Sequence, residues 1–319
     1  MNNILVLGGT GFVGRALCEK LVRRNGGSGG RILVPTRHRQ NGLKVQSLPT
    51  LELVQASVHD ESRLLALVKQ ADVVINLVAI LHGSAADFDQ VHVALARRIV
   101  TTCQQAGVRR LLHVSALGVG SNASSNYLRS KTQAEAVYAA APGLLSTVFR
   151  PSVIFGAEDK FLNLFAQLQK FAPLLPLAGS SALFQPVWVE DVAQALVVAL
   201  DDSRTEGKTY ECVGPTQHTL GELVRLAGRW SGHERPQIAL PDWAGSLQAT
   251  FMELLPGEPL MSRDNLLSMR SPNVATGQWP GLQALGIEAT ALEAIAPTYL
   301  GQHHARARLD RWRRQTRRD

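Results

Sequence analysis

The sequence predicts an α/β fold: a doubly wound parallel sheet followed by a smaller C-terminal α/β lobe. Three observations carry that expectation. A short apolar run, Ile4 to Leu7, leads into a glycine turn with Gly8, Gly11 and Gly14 at three-residue intervals, and an amphipathic stretch follows at once. Strand-like and helix-like patterns then alternate for the first half of the chain, the signature of parallel strands joined by crossover helices. Finally, the chain of 319 residues is long enough to bury a large core.

Each element follows from its local pattern. Residues 4–7 form the first strand, and Arg15 to Val22 continue as a helix. Asn25 to Gly30 is a flexible turn, Arg31–Val34 a second strand and Leu51–Val54 a third. Asp60 opens a helix to Gln70, and the apolar run Ala71–Ala79 reads as a buried fourth strand. A long helix is expected over Ala86–Ala106, ending at Gly107 as a C′ glycine. Arg110–Ser115 is the fifth strand, Ser125–Ala140 a helix and Ser146–Arg150 the sixth strand. Phe161, Leu164, Phe165, Leu168 and Phe171 fall at helical spacing, and the apolar loop Ala172–Leu177 is placed to roof a site. Thr219 and Glu222 form a capping box opening a helix to about Trp230. Residues 1–150 therefore make the nucleotide domain, with 185–200 returning to it; 151–300 are mainly the substrate lobe, and 301–319 a basic tail.

Charge excludes one large class of function. Of the formal net charge of +7, the stretch Gly301–Asp319 contributes +5, with seven arginines against Asp310 and Asp319. The remaining three hundred residues are nearly neutral, which removes the support for nucleic-acid binding. The tail suits an anionic lipid surface or an acidic partner, with Leu309 and Trp312 as an apolar foothold; a solvated, frayed terminus is the simpler reading. No window reaches eighteen uninterrupted apolar residues, so no membrane span is expected. The first strand starts almost at Met1, which argues against a targeting peptide. Cys18, Cys103 and Cys212 are dispersed in apolar surroundings and read as buried thiols, with no metal-ligand spacing. A cytoplasmic protein is expected, with peripheral attachment at the inner face of the membrane as a further option.

The glycine turn between strand and helix lets backbone approach a pyrophosphate while the helix N-terminus supplies amide donors. Its spacing is GxxGxxG. Expected contacts are Gly8, Thr10, Gly11, Phe12, Val13 and Gly14. Tyr127 and Lys131, four residues apart, share one helix face. An ammonium ~4 Å from a phenol at an effective dielectric of ~20 is worth roughly 4 kcal/mol, enough to lower the tyrosine pKa by about three units. Such a tyrosine can exchange a proton with a carbonyl or alcohol oxygen as hydride moves at the adjacent carbon. Just past the second strand the sequence reads Pro35-Thr36-Arg37-His38-Arg39, without the acidic residue that would bond a ribose 2′-hydroxyl. Arg37, supported by Arg39, suits a 2′-phosphate, so NADP(H) is expected over NAD(H), with NAD(H) possible.

Together, GGTGFVG, Asn76-Leu77-Val78-Ala79, His113-Val114-Ser115-Ala116-Leu117-Gly118 and YLRSK resemble an extended short-chain dehydrogenase/reductase with a Rossmann-type domain. SALG paired with YLRSK, and later Met261-Ser262-Arg263-Asp264-Asn265-Leu266, are most similar to an atypical subgroup that includes the NAD(P)H-binding accessory subunit of respiratory complex I and its bacterial relatives. The resemblance extends to about Leu300. It implies cofactor contacts at Val58 over the adenine, at Leu77, Val78 and Ala79, and along the sixth-strand segment at Pro151 and Val153. It also implies departures. The usual catalytic serine or threonine position falls on Leu117, leaving Ser115 as the substitute if the turn is displaced. His92 replaces the tetrad asparagine, where an imidazole can relay a proton or bind a water.

The resulting expectation is an NADP(H)-dependent oxidoreductase of a lipophilic carbonyl or quinone-like substrate, acting through Tyr127 and Lys131. The alternative is a non-catalytic, NADPH-holding accessory subunit of a membrane-associated complex. A nucleotide-sugar epimerase or dehydratase is the third choice.

Overall fold

The structure, a computed structural model, describes residues 2–254 and 261–301. In chain order the elements begin β1 (Asn3–Leu7), α1 (Phe12–Arg24), β2 (Arg31–Thr36), β3 (Leu51–Gln55), α2 (Glu61–Val68) and β4 (Val73–Asn76). They continue with α3 (Ala85–Phe88), α4 (Leu95–Ala106), β5 (Arg110–Val114), α5 (Asn126–Ala139) and β6 (Leu145–Pro151). The second half holds β7 (Ile154–Phe155), α6 (Leu162–Phe171), β8 (Leu175–Ala178), β9 (Leu183–Phe184), β10 (Val187–Trp188), α7 (Val189–Asp201) and β11 (Thr209–Cys212). Last come β12 (His218–Thr219), α8 (Leu220–Ser231), β13 (Gln237–Leu240), α9 (Asp242–Leu254), α10 (Arg263–Ser268) and α11 (Leu292–Leu300).

Seven parallel strands form the central sheet in the order β11-β6-β5-β4-β1-β2-β3. Strands buried on both faces need apolar residues throughout, and Ile4 to Leu7, Ile32 to Val34 and Val73 to Ile75 are all inaccessible to solvent. Leu17, Leu21, Val192 and Leu196 cover one face from α1 and α7. Leu64, Leu95, Ile99 and Tyr138 cover the other from α2, α4 and α5. The order reverses direction between β1 and β4, and that switch point opens the crevice where ligands bind in such sheets.

Most boundaries fall where the sequence puts them, down to the left-handed Gly107 and the Thr219–Glu222 capping box. Five details differ. β4 stops at Asn76 because Leu77–Ala79 peel away at the switch point, an apolar run leaving the sheet. The long helix is interrupted by a π-helical turn over Asp89–Ala94, which hydrophobic periodicity does not register. β11 lies in the stretch assigned to the smaller lobe yet pairs with β6 in the central sheet. The loop expected to roof the site instead enters β8, which pairs with β13 and buries Leu175 and Leu177 against α6 and α8. Phe171, expected on the packed face of α6, is 87% exposed. The basic tail, with Leu309 and Trp312, lies outside the described residues apart from Gly301. Among the described residues no helix is long and apolar enough to cross a membrane.

Candidate functional site

The glycine turn is held by its own contacts. Gly8 has φ +83°, and a Cβ there would lie 3.1 Å from the Leu77 carbonyl carbon and 3.2 Å from the Val78 nitrogen. Gly14 sits where α1 crosses the turn; its Cβ would overlap the Gly8 carbonyl oxygen and lie 2.5 Å from Gly9 Cα. Gly11 caps α1 without a side-chain acceptor, and no acidic residue occupies the first turn, so the amides at this end are open to an anion. Thr10 is turned inward enough for its carbonyl to accept from Arg15 Nη1 (3.1 Å), while Phe12 and Val13 pack on the sheet core. Across the switch point Leu77 and Val78 pack on opposite faces of the sheet, Val78 N–H donates to Asn76 Oδ1 (3.1 Å), and Ala79 is exposed. Val58 packs on the face that Val78 shares. These residues thus share one rim, above the carboxyl ends of β1, β3 and β4.

At the same rim the two arginines read from the sequence meet two residues that sequence reasoning missed, His59 and Arg98. Arg37 is exposed just beyond β2, and Arg39 is exposed in the 3-10 turn Arg39–Gly42. His59 Nδ1 and Arg98 Nη1 are both buried without a hydrogen-bond partner. Burial first, then the charges of Arg98 and Arg37, hold His59 below its ordinary pKa. His59 stands next to Val58, but Arg98 reaches it from α4, thirty-nine residues on, so only the fold brings them together.

Tyr127 and Lys131 occupy the first two turns of α5 as expected, yet their electrostatics reverse the sequence reading. Lys131 is 1% exposed, and its Nζ donates to the Val114 carbonyl at the end of β5 (3.1 Å). Burial brings it down to about 8, opposed by Glu135. Tyr127 packs edge-on against Phe88 (6.0 Å) and His92 (5.7 Å), and burial pushes its phenol up to about 12. No hydrogen bond joins the two side chains among the described residues. The expected three-unit lowering of Tyr127 is therefore absent: burial raises the phenol, and the Lys131 ammonium, turned to the Val114 carbonyl, does not lower it.

The substitute tetrad members are also placed differently from expectation. His92 lies in the π-helical turn, where Ile80 N–H donates to Nε2 (3.2 Å). Nδ1 therefore carries the proton and donates to Ser130 Oγ (2.7 Å), whose hydroxyl donates to the Tyr127 carbonyl (2.8 Å). Burial drives the ring down to about 3. With both nitrogens committed, His92 is a neutral pin and has no nitrogen left to relay a proton or hold a water. Ser115 N–H donates to Phe149 O (2.7 Å), while its hydroxyl is buried without a partner. Leu117 N–H donates to Pro151 O (3.0 Å), and Val153 N–H to Asn273 Oδ1 (2.9 Å), so the sixth-strand segment is fixed by bonds within the chain.

Asp264 organises the site from outside it. Its carboxylate accepts from Asn126 N (2.7 Å) and Tyr127 N (3.0 Å), and Ser268 Oγ donates to Ser125 Oγ, the side-chain cap of α5. An anion on two orphan amides of a helix start stabilises both the helix and its register. Asp264→Ala is expected to cost about 2 kcal/mol in urea unfolding, and Asp264→Asn to recover part of it. An unchanged midpoint for the alanine variant would refute the clamp.

Comparison with known proteins agrees with this fold. A family model described as the NAD dependent epimerase/dehydratase family matches residues 4–212. The chain belongs to that family. It is 32% identical to NADH dehydrogenase [ubiquinone] 1 alpha subcomplex subunit 9, mitochondrial, of Mus musculus, over 96% of this chain and 81% of the relative. The NADH-ubiquinone oxidoreductase 40 kDa subunit of Neurospora crassa is 27% identical over 96% of this chain and 80% of its own. Among solved structures, the dTDP-glucose 4,6-dehydratase DesIV of Streptomyces venezuelae, with NAD and TYD bound, superposes with a TM-score of 0.66 at 21% identity, covering 87% of this chain and 94% of that one. At that identity the likeness concerns the fold. The atypical short-chain dehydrogenase/reductase resemblance read from the motifs thus stands.

Proposed function

We propose that this family member holds NADP(H) at the β1/β4 switch point and serves as an accessory component of a membrane-associated complex, as the names of its subunit relatives suggest. The observation that carries the cofactor choice is the meeting of Arg37, Arg98 and His59 at the rim, with two buried nitrogens lacking partners. A 2′-phosphate would satisfy those donors, whereas a 2′-hydroxyl would leave two cations facing one another. The pyrophosphate would lie over Gly11 and the uncapped start of α1. Tyr127 and Lys131 would hold the nicotinamide ribose, Val58 the adenine, and Leu77, Val78, Ala79, Pro151 and Val153 would line the remaining length.

When bound, the cofactor supplies a hydride. What the chain supplies is binding: Lys131 keeps a donor in a dry site, and His92 through Ser130 fixes the start of α5. Proton transfer is less well provided, because Tyr127 is raised by burial and His92 is locked. The second reading, reduction of a lipophilic carbonyl or quinone-like substrate, is favoured by the Tyr127–Lys131 spacing and the partnerless Ser115 hydroxyl. Attachment of the Arg-rich tail to the inner face of a membrane, or to an acidic partner, completes the proposal.

Isothermal titration separates these readings. NADPH should bind at least tenfold tighter than NADH, about 1.4 kcal/mol, and the preference should collapse in Arg37→Ala. Equal affinities would overturn the 2′-phosphate assignment. Tyr127→Phe should still bind NADPH, weakened by about 1 kcal/mol for the lost ribose hydrogen bond; NADPH oxidation by a carbonyl or quinone probe that disappears in that variant would move the conclusion to the reductase.

A further inference from the structure

The β8–β13–α9 unit of the smaller lobe carries a surface that neither the cofactor site nor the core explains. α9 packs inward through Gly245 and Ala249; a Cβ on Gly245 would lie 2.7 Å from Ala178 Cβ, so the helix rests directly on β8. Its opposite side presents Trp243, Leu247, Phe251 and Leu254, which are 73%, 66%, 64% and 79% exposed. At 100° per residue these four fall within roughly 80° of the helix circumference. Between Trp243 and Met252 the sequence has no charged residue, and Glu253 is paired with Arg263 (2.9 Å). Phe171, 87% exposed, immediately precedes the loop into β8. Contiguous apolar exposure of this kind is rare on a protein that stays free in solution.

We propose that the Trp243–Leu247–Phe251–Leu254 face of α9 docks on an anionic lipid surface. Three observations select that occupant. The stripe protrudes on the outer side of a helix, with a tryptophan at one end, so it offers a ridge that enters an interface, while the cavity beside α9 is lined by Asp242, Gly245 and Ser246 and leaves the stripe outside it. Lys170 and Arg235 are exposed just before β8 and β13, beside Asp242 at the start of α9, while the neighbouring Glu234 is paired with Arg229 (3.3 Å). The described body ends at Gly301, whose Cβ position is 3.8 Å from the Trp230 carbonyl at the end of α8, the helix that leads into β13. The eighteen residues beyond it carry seven arginines. A short apolar foothold and a polybasic segment each bind weakly alone, and together they supply the two signals that stable attachment requires. This extends the attachment part of the proposed function from the tail to a folded surface; the stripe itself is independent of the cofactor reading.

Co-sedimentation of the purified full chain with vesicles tests it, using phosphatidylcholine alone and phosphatidylcholine mixed with phosphatidylglycerol. The chain should partition at least tenfold more strongly onto the mixed vesicles. The triple variant Trp243→Ser, Leu247→Ser, Phe251→Ser should lose at least tenfold of that partitioning while keeping wild-type NADPH affinity and melting temperature. In a second measurement, made on the Trp312→Phe variant so that the tail contributes no signal, brominated phosphatidylglycerol should quench tryptophan emission, and adding Trp243→Phe should remove most of the quenching. Undiminished partitioning of the triple variant overturns the proposal. So does wild-type chain that ignores the mixed vesicles, or a homodimer in sedimentation equilibrium that Trp243→Ser dissociates. Because NADPH affinity is read separately, loss of cofactor binding would count against the proposed function alone.

Discussion

Lys131→Met is expected to stabilise the cofactor-free protein at pH 7 by about 2 kcal/mol. The lysine pKa falls from about 10.5 unfolded to about 8 folded, a cost of about 3 kcal/mol for keeping it charged. Its hydrogen bond to Val114 returns about 1 kcal/mol of that. The sign fixes the pH window. Below pH 8 the lysine is charged in both states and the cost is fully present. Between pH 8 and 10.5 the folded chain releases the proton while the unfolded chain keeps it, so stability rises with pH. Above that range the cost is gone. Urea melts at pH 7 and pH 10 should therefore show the wild type gaining relative to the variant. A variant less stable at both pH values would mean that the ammonium is better compensated than its surroundings indicate. The same variant should bind NADPH more weakly, because the dry ammonium that burdens the empty fold is the donor proposed to meet the ribose.

Gly14→Ala carries the second large effect. The added methyl meets the Gly8 carbonyl and Gly9 Cα, backbone atoms with no rotamer to yield, so α1 must lift from β1. The expected loss is about 3 kcal/mol or more, together with nucleotide binding. Gly29→Ala is the control: its Cβ position is 3.5 Å from the nearest atom, the Asn25 carbonyl oxygen, and its φ is unstrained, so stability should stay within about 0.5 kcal/mol. Equal effects at the two positions, read by thermal melts, would show that crowding at the turn is not what selects glycine.

The positions of the strands were legible because parallel strands demand uninterrupted apolar runs, and helix ends were legible where a side chain caps them, as Asp60 and Ser125 do. Periodicity failed where an apolar run leaves the sheet, as Leu77–Ala79 do, and where a helix changes pitch without changing its residues, as at Asp89–Ala94. At the site, the i,i+4 spacing of Tyr127 and Lys131 was visible, but their pKa values depend on water excluded by other elements. The partners of His59 and His92, respectively Arg98 and Ser130, come from elements remote in the chain. Nothing short of the tertiary arrangement names them.

The placement of β11 bears on how the molecule comes into being. The sheet that begins at Asn3 acquires its last strand only at Cys212, after the chain has passed through β7 to α7, and α7 is also the cover for α1. A nascent chain that has reached β6 therefore presents an open strand edge and a bare helix face together. Loop-closure entropy opposes such late, distant pairing, and the half-made sheet is the species most exposed to wrong partners. The first half of this molecule consequently leaves part of its own apolar surface for the second half to cover. The edge of β6 and the face of α1 are covered only as α7 (Val189–Asp201) and β11 (Thr209–Cys212) arrive, one directly after the other.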